Sequence, residues 1–384
     1  MLAENFTANS SGRLVKAAQG YLAFVPNPLP PSLELSWDLV RRLSAAEQAI
    51  SQLAGVGLTL PNPHLLIGPF IRREAVLSSR IEEIRVSLSD LVFFEAESEP
   101  GSAQSDVQEV SNYVRALDHG LRRLDDLPVS LRLIREIHDK LMTGVRGEHL
   151  TPGEFRRSQN WIGAPGCTLT DATYVPPPVG EMDTALGELE KYLHTDSELP
   201  LLIRLALIHY QFEAIHPFLD GNGRMGRLLI TLLLCHHKIL TQPLLYLSAF
   251  FERNREDYYR LLLGVSQRGL WEEWVRYFLL GVEQQSKDAV KRATRLLEMR
   301  QEYRDNLQAA RSSALLLRLI DDLFAHPVTT IKNAVASLEV TPRAARQNID
   351  KLINAGILKE VSERQRNKIF IAEEIISVLE AEEL

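Results

Sequence analysis

Apolar residues recur every three or four positions through most of this chain, and that spacing predicts helices. Residues 200–212 and 224–236 are apolar around most of the helical circumference, which indicates two buried helices at the centre of the protein. Two more helices are predicted at about 35–55 and about 70–95. The second is amphipathic, with apolar residues at spacings of three and four: Leu77, Ile81, Ile84, Leu88 and Leu91. The pattern therefore predicts a mainly α fold.

The pattern changes after about residue 310, where short helices give way to alternating strands. Three helices and then two strands are predicted in the order 315–324, 330–338, 343–355, 357–361 and 368–371. Pro342 suits the first position of the third helix, and Gly356 suits its end. Helix, helix, helix and hairpin is the order of a winged helix-turn-helix module.

The third helix and the hairpin of this module carry a local excess of positive charge. Between residues 341 and 368 there are seven basic residues, Arg343, Arg346, Lys351, Lys359, Arg364, Arg366 and Lys368, against three acidic ones, Asp350, Glu360 and Glu363. Such an excess permits contacts with the phosphates of DNA. The module as a whole is slightly acidic, so a winged helix that contacts protein is an equal alternative.

These patterns divide the 384 residues into three predicted domains. Residues 1–128 form a helical domain that opens with a loop-like, proline-rich stretch around residues 26–31. Residues 129–310 form a helical domain with one small β-hairpin as its only β element, and a charged helix from about residue 284 leads out of it. Residues 311–384 form the winged-helix domain.

The composition is that of a soluble globular protein, with 45% hydrophobic and 24% charged residues. Cys167 and Cys235 are too few for a disulfide framework, and their spacing does not suit zinc. The start of the chain lacks the pattern of a signal peptide, and no apolar run is long enough to span a bilayer, so a cytoplasmic location is expected. The net charge of −7 argues against a general affinity for polyanions.

Residues 216–227, HPFLDGNGRMGR, place the groups that phosphate chemistry needs in one short segment. His216 follows a buried helix and can act as a general base near neutral pH. The residues after it can supply a carboxylate for Mg²⁺, a backbone nest for anions and two arginines that hold phosphate oxygens: Asp220, Gly221, Asn222, Gly223, Arg224 and Arg227. The next helix also presents its N-terminus to bound phosphate.

This segment resembles the defining motif of the Fic family, HxFx(D/E)GNGRxxR, at every specified position. Most members of that family transfer AMP from ATP to a Ser, Thr or Tyr hydroxyl of a protein. The resemblance implies that His216 is the base for the target hydroxyl and that Asp220 binds Mg²⁺. It also implies that residues 221–223 bind the α- and β-phosphates, that Arg224 contacts the β/γ end, and that Arg227 holds the γ-phosphate.

The resemblance extends to a flap and to elements on the nucleotide side. The runs that lead into and out of the family's flap are matched by residues 152–156, 160–163 and 174–178, and residues 164–173 suit an exposed hairpin. In the family the flap holds the target segment as an added strand, so a target protein is expected to dock at about residues 163–178. Downstream, the resemblance suggests Asn254 and Tyr258 as adenosine contacts.

A second motif lies in the predicted helix at about 70–95. Fic proteins with an N-terminal inhibitory helix carry (S/T)xxxE(G/N), and residues 78–82, SSRIE, look like it. The resemblance implies that Glu82, one turn after Ser78, pairs with Arg227 and displaces the γ-phosphate. The sequence departs from the motif at Glu83, where Gly or Asn is usual.

Two classes of function follow from these observations. The first is an auto-inhibited adenylyltransferase, with ATP as substrate and Mg²⁺ as cofactor, that modifies target proteins and itself. The second is a transcriptional regulator that senses nucleotide in the Fic domain and binds DNA through the winged helix. Within the enzyme class, the same site could instead hydrolyse AMP from a modified target. The predicted domain at residues 1–128 resembles the N-terminal domain that accompanies many bacterial Fic proteins. The sequence is also compatible with a homodimer.

Overall fold

A computed structural model describes residues 1–17, 19–59, 64–96, 106–309, 314–361 and 368–381. Within these ranges the regular structure consists of fifteen α-helices, one short 3-10 helix (Ala3–Asn5) and five short strands. The predicted mainly α fold class is confirmed. None of the described helices combines the length and the apolarity that crossing a bilayer requires.

The chain opens with a β-hairpin that the sequence pattern did not predict. Strand β1 (Gly12–Lys16) pairs antiparallel with β2 (Leu22–Pro26), with Gly12 opposite Pro26. Phe24 is fully buried, and its N–H donates to the carbonyl of Val175. Because β2 is buried on both faces, it lacks the alternation that marks a half-buried strand, and the proline-rich run after it favoured a loop.

Four helices follow in the N-terminal part: α1 (Trp37–Thr59), α2 (His64–Ile81), α3 (Leu88–Ala96) and α4 (Asp106–Arg123). The single helix predicted at about 70–95 is wrong, because α2 ends at Ile81 and α3 begins at Leu88. Glu83 takes a φ of +68°, which a right-handed helix excludes. The apolar spacing continues across the break because Ile84 is itself buried in the turn.

The central part is helical, as predicted, and its helices are α5 (Leu131–Met142), α6 (Val179–His194), α7 (Leu201–Ile215), α8 (Asn222–His236), α9 (Ser248–Arg253), α10 (Arg255–Arg268) and α11 (Trp271–Ala309). The two apolar helices predicted at 200–212 and 224–236 are confirmed as α7 and α8, which pack against each other. The expected flap hairpin is reduced to one antiparallel bridge between Ile162 and Tyr174. Backbone hydrogen bonds of 2.8 and 3.0 Å join these two residues.

The C-terminal part contains α12 (Ala314–Ala325), β3 (Val328–Thr330), α13 (Ile331–Leu338), α14 (Pro342–Asn354), β4 (Lys359–Glu360), β5 (Ile369–Ile371) and α15 (Glu373–Glu380). Three helices and two strands lie close to where the sequence predicts them, and Pro342 opens α14. Strand β3 and helix α15 were missed, and the sheet order is β3-β5-β4. The predicted hairpin loop at 362–367, with Arg364 and Arg366, lies outside the described residues.

Several of the basic side chains in this part are paired with carboxylates. Arg346 Nε lies 2.8 Å from Asp350, and Lys359 Nζ lies 2.9 Å from Glu373. Lys368 is bound to Glu360. The excess of positive charge counted along the sequence is therefore partly neutralised on the folded surface.

Helix α2 is held between the central part and the C-terminal part. In the C-terminal part, His326 Nδ1, after the end of α12, lies 3.2 Å from an Arg72 Nη, while Arg72 Nε donates to Glu95 of α3 at 2.6 Å. The N–H of Leu88, the first residue of α3, donates to Glu380 of α15 at 3.1 Å. The opposite end of α2 reaches the motif at residues 216–227, so one helix contacts both parts.

Candidate active site

A cavity of about 620 Å³ opens where α7 ends and α8 begins. Its wall includes His216, Asp220 and Arg227 from the motif, Ile162 from the flap, and Glu82 from the turn after α2. A concave site of this size suits a small-molecule ligand such as a nucleotide. The motif, the flap and the residues after α2 are far apart in sequence, and the fold brings them to one place.

His216 is the residue at which α7 ends. Its φ of +49° turns the chain out of the helix and toward the cavity. Nδ1 lies 3.3 Å from the carbonyl oxygen of Glu213, and because a carbonyl only accepts, Nδ1 carries the proton and Nε2 keeps its lone pair. Burial lowers the pKa of His216 to about 4, so the ring is neutral near pH 7 and can accept a proton.

The backbone of the loop between α7 and α8 is fixed by side-chain hydrogen bonds. Asn222 closes the loop on itself, accepting from Phe218 N and donating to Phe218 O, both at 2.8 Å. Asn160 donates to the carbonyls of His216 at 3.2 Å and Phe218 at 2.7 Å. Arg156, which is 1% exposed, donates to the His216 carbonyl at 3.0 Å. These bonds hold the position of His216.

His138 on α5 also contacts the loop between α7 and α8. Its role was not predicted from the sequence. Its ring stacks on Phe218 with centroids 3.6 Å apart. Nδ1 accepts from Gly153 N at 3.0 Å, so Nε2 carries the proton and donates to the carbonyl of Asp220 at 2.9 Å. A single histidine on an amphipathic helix gives no signal of such a role, because its partners lie far away in sequence.

The glycines of the motif lack side chains that would keep other groups away from the start of α8. Gly221 has a φ of +75°, and α8 begins at the next residue, so the first N–H groups of α8 have no carbonyl partner within the helix. A β-carbon at Gly223 would lie 2.5 Å from Glu82 Oε1 and 2.9 Å from Arg227 Nη1. Helix N-termini of this kind favour anions.

Asp220 is the candidate Mg²⁺ ligand at this end of the cavity. Its side chain is 37% exposed, and Oδ1 accepts from Gly221 N at 2.7 Å. Within the described ranges there is no group of three or more His, Cys, Asp or Glu side chains that could hold a metal. One carboxylate beside a phosphate nest fits Mg²⁺, which is usually bound by one or two carboxylates, substrate phosphates and water.

The Glu82 carboxylate lies against both arginines of the motif. Oε1 is 2.8 Å from Arg227 Nη2, and Oε2 is 3.0 Å from Arg224 Nε. Ser78 adds to the contact, because its hydroxyl and its carbonyl accept from Arg227 at 2.8 and 2.9 Å. Burial opposes the charge on Glu82, but the two guanidinium groups outweigh it and lower the pKa of this carboxyl below its ordinary value.

Two stretches of the chain match known protein families. Residues 40–122 match the Fic/DOC family N-terminal domain, and residues 128–234 match the Fic/DOC family domain, which contains the whole motif. The chain is a Fic family protein. The match to the first of these domains includes Ser78 and Glu82, so the segment that contacts the motif is itself part of a Fic-associated domain.

Relatives of this Fic protein include proteins named protein adenylyltransferase Fic. The one from Drosophila erecta is 34% identical over 110 residues, and the one from Drosophila virilis is 36% identical over 110 residues. Each match covers 28% of this chain and 20% of the relative, so the chain spans about a fifth of the relatives' length.

A solved structure shares the fold over most of the chain. The crystal structure of a Fic family protein from Desulfovibrio desulfuricans G20 has a TM-score of 0.57 and 19% identity. The likeness covers 90% of this chain and 98% of that chain. At this level of identity it shows the fold alone.

The structure brings only one of the two predicted adenosine contacts to the cavity. The ring of Tyr258 lines the wall, while its hydroxyl bonds to His209 Nε2 at 2.8 Å. Asn254 does not line the cavity, because it joins α9 to α10 and its amide donates to the Phe250 carbonyl at 2.8 Å. Its neighbour Arg255 and the half-exposed Tyr259 line the cavity instead, and neither was predicted from the sequence.

Glu213 is a further carboxylate in the cavity wall that the sequence did not single out. Its Oε1 is shielded from solvent and has no hydrogen-bond partner among the described residues. Burial raises the pKa of Glu213 to about 7, so a proton is partly retained near neutral pH. Gly226 makes room for it, since a β-carbon there would meet Oε1.

Proposed function

We propose that this Fic protein transfers AMP from ATP to hydroxyl groups of proteins, including its own, and that Glu82 inhibits the transfer. The observation that carries the proposal is the Glu82 carboxylate, which binds Arg224 and Arg227 beside the nest at the start of α8. A carboxylate in this position occupies the N–H groups that a triphosphate needs, so the two anions compete for one pair of guanidinium groups.

In the proposed reaction, His216 Nε2 accepts the proton of the target hydroxyl as its oxygen attacks the α-phosphorus. The bond from the α-phosphorus to the bridging oxygen breaks, and pyrophosphate leaves with the electron pair. The nest at residues 221–223 and the two arginines offset the negative charge of the phosphates. Mg²⁺, when bound by Asp220 and the phosphates, supplies further positive charge at the leaving group.

The target protein is proposed to dock at the flap, at about residues 163–178. Ile162 and Trp161, at its edge, are 38% and 42% exposed and line the cavity that contains His216. An extended segment beside the flap could therefore present its hydroxyl to the base while pairing through its backbone. This arrangement places recognition of the target and the base on adjacent sides of one cavity.

The experiment compares wild type with Glu82→Gly after incubation with ATP and Mg²⁺, using mass spectrometry to detect AMP on the protein and on added targets. Glu82→Gly should gain AMP at least about tenfold faster, since each hydrogen bond between charged groups contributes about 1.5–3 kcal/mol. Glu82→Gln, which keeps the size but loses the charge, should lie between the two. ATP binding without any AMP adduct in Glu82→Gly would contradict the proposal and favour nucleotide sensing.

A further inference from the structure

The Arg224 guanidinium is held between two carboxylates, one from the turn after α2 and one from α4. Nε lies 3.0 Å from Glu82 Oε2, and Nη1 lies 2.9 Å from Glu109 Oε2. Nη2 contacts the sulfur of Met142 at 3.7 Å and lies 3.9 Å from Asp220. The side chain is only 2% exposed, so its charge depends on these partners. The proposed inhibition uses Glu82 and leaves Glu109 without a role.

The two carboxylates differ in how firmly they are placed. Glu82 follows the last residue of α2, its side chain is 24% exposed, and it lines the cavity. Glu109 lies in the first turn of α4, is 4% exposed, and does not line the cavity. Helix α4 packs against α2, α5 and α8, so Glu109 is part of the framework behind the motif. Glu82 therefore lies where a nucleotide would enter the cavity, whereas Glu109 is not part of the cavity wall.

The charges also assign different roles to the two groups. With Glu82 in place, three guanidinium groups, on Arg224, Arg227 and Arg146, face three carboxylates, on Glu82, Glu109 and Asp220. When Glu82 withdraws, Glu109 still neutralises one positive charge inside the protein. One unit of positive charge then remains for the phosphates, and Arg224 keeps a bond that fixes its orientation.

We propose that Glu109 is a positioning residue that orients Arg224 for the triphosphate and takes no part in inhibition. It anchors Nη1, so the opposite edge of the guanidinium, with Nε, faces the cavity as soon as Glu82 leaves. The inference rests on the proposed function, because it assigns Arg224 to the phosphates of ATP. Glu82 thus blocks Arg224, while Glu109 holds Arg224 in the orientation that binds the triphosphate.

The test replaces Glu109 by Gln in the Glu82→Gly protein, where the cavity is open. Calorimetry with Mg-ATP and with AMP measures binding without requiring transfer. The affinity for ATP should fall by about tenfold or more, while the affinity for AMP should stay the same, because AMP lacks the β- and γ-phosphates. Where transfer is measured, kcat/KM should fall by about 10²-fold, the typical effect of a group displaced by about 1 Å.

Two further variants separate positioning from general stability. Glu109→Asp keeps the charge and should recover part of the loss in ATP affinity. Glu283→Gln removes a carboxylate that joins α11 to Arg42 of α1, far from the motif, and should leave the ratio of ATP to AMP affinity unchanged. A fall in thermal stability alone would affect both ligands equally.

Two outcomes would overturn the assignment. One is an unchanged preference for ATP over AMP in the Glu82→Gly, Glu109→Gln protein. The other is activation by Glu109→Gln alone, because Glu109 would then act as a second inhibitory carboxylate. Failure of the proposed function looks different: no AMP is transferred by Glu82→Gly, yet the contrast between ATP and AMP binding persists.

Discussion

Two segments meet in the cavity, the loop at residues 216–227 and the turn at residues 82–87, and they are built in opposite ways. The loop is fixed by buried side chains from two other segments: His138 from α5, and Arg156 and Asn160 from the stretch that leads into the flap. The turn contributes a partly exposed carboxylate, and Glu83 within it has a φ of +68°. Under the proposed function, the loop is a preorganised reaction centre and the turn is a removable block.

This division has a physical reason. Positioning a base and a phosphate nest requires groups that do not move, and buried hydrogen bonds from several elements provide that. A block must be able to leave, so it needs few contacts, and those contacts must be ones that the substrate can replace. The ion pairs of Glu82 are of this kind, because phosphate oxygens bind guanidinium groups in the same way.

The largest expected effect comes from removing the base while leaving the loop in place. In the Glu82→Gly protein, His216→Ala should lower AMP transfer by ~10²–10⁴-fold, because the base positioned for the proton of the target hydroxyl is lost. ATP affinity should stay within about twofold by calorimetry, since the nest and both arginines remain. Near-normal transfer by this variant would exclude His216 as the base.

A smaller loss is expected when the loop is loosened and the base is retained. Asn160→Ala, also in the Glu82→Gly protein, removes the two bonds that hold the carbonyls of His216 and Phe218. Transfer should fall by up to ~10²-fold through misplacement of His216. Gln159→Ala is the matched control, because Gln159 donates to Asn160 O and Pro176 O and not to the loop. Equal losses in the two variants would show that the loop does not depend on Asn160.

The sequence predicted the loop better than the turn, and the reason is local chemistry. All the residues of the motif lie within twelve consecutive positions, so they can be recognised in the sequence. The helices on either side of the motif are also apolar enough to be predicted. Its supports could not be predicted, because His138 and Glu109 contact the motif only through tertiary packing. The turn was missed because the apolar spacing of α2 continues through Ile84 into α3, while the backbone at Glu83 breaks the helix.

Glu83 is the residue where the chain departs from the usual inhibitory motif, and the structure explains why Gly or Asn suits that position. A residue other than glycine in the left-handed region costs about 1 kcal/mol. In return, Glu83 forms an ion pair with Arg255 at 3.2 Å, and both side chains are well exposed. Exposed pairs contribute roughly 0–1 kcal/mol, so the two effects nearly cancel.

The smallest effect is therefore expected from Glu83, and a pair of variants makes it measurable. Glu83→Ala and Glu83→Gly both lose the pair with Arg255, but only glycine relieves the backbone. The inhibitory turn should be firmer in Glu83→Gly, so AMP transfer should be slower than in Glu83→Ala, by up to about fivefold for 1 kcal/mol. Both variants should stay well below Glu82→Gly when rates are measured under the same conditions. Faster transfer by Glu83→Gly than by Glu83→Ala would mean that the left-handed turn does not hold Glu82 in place.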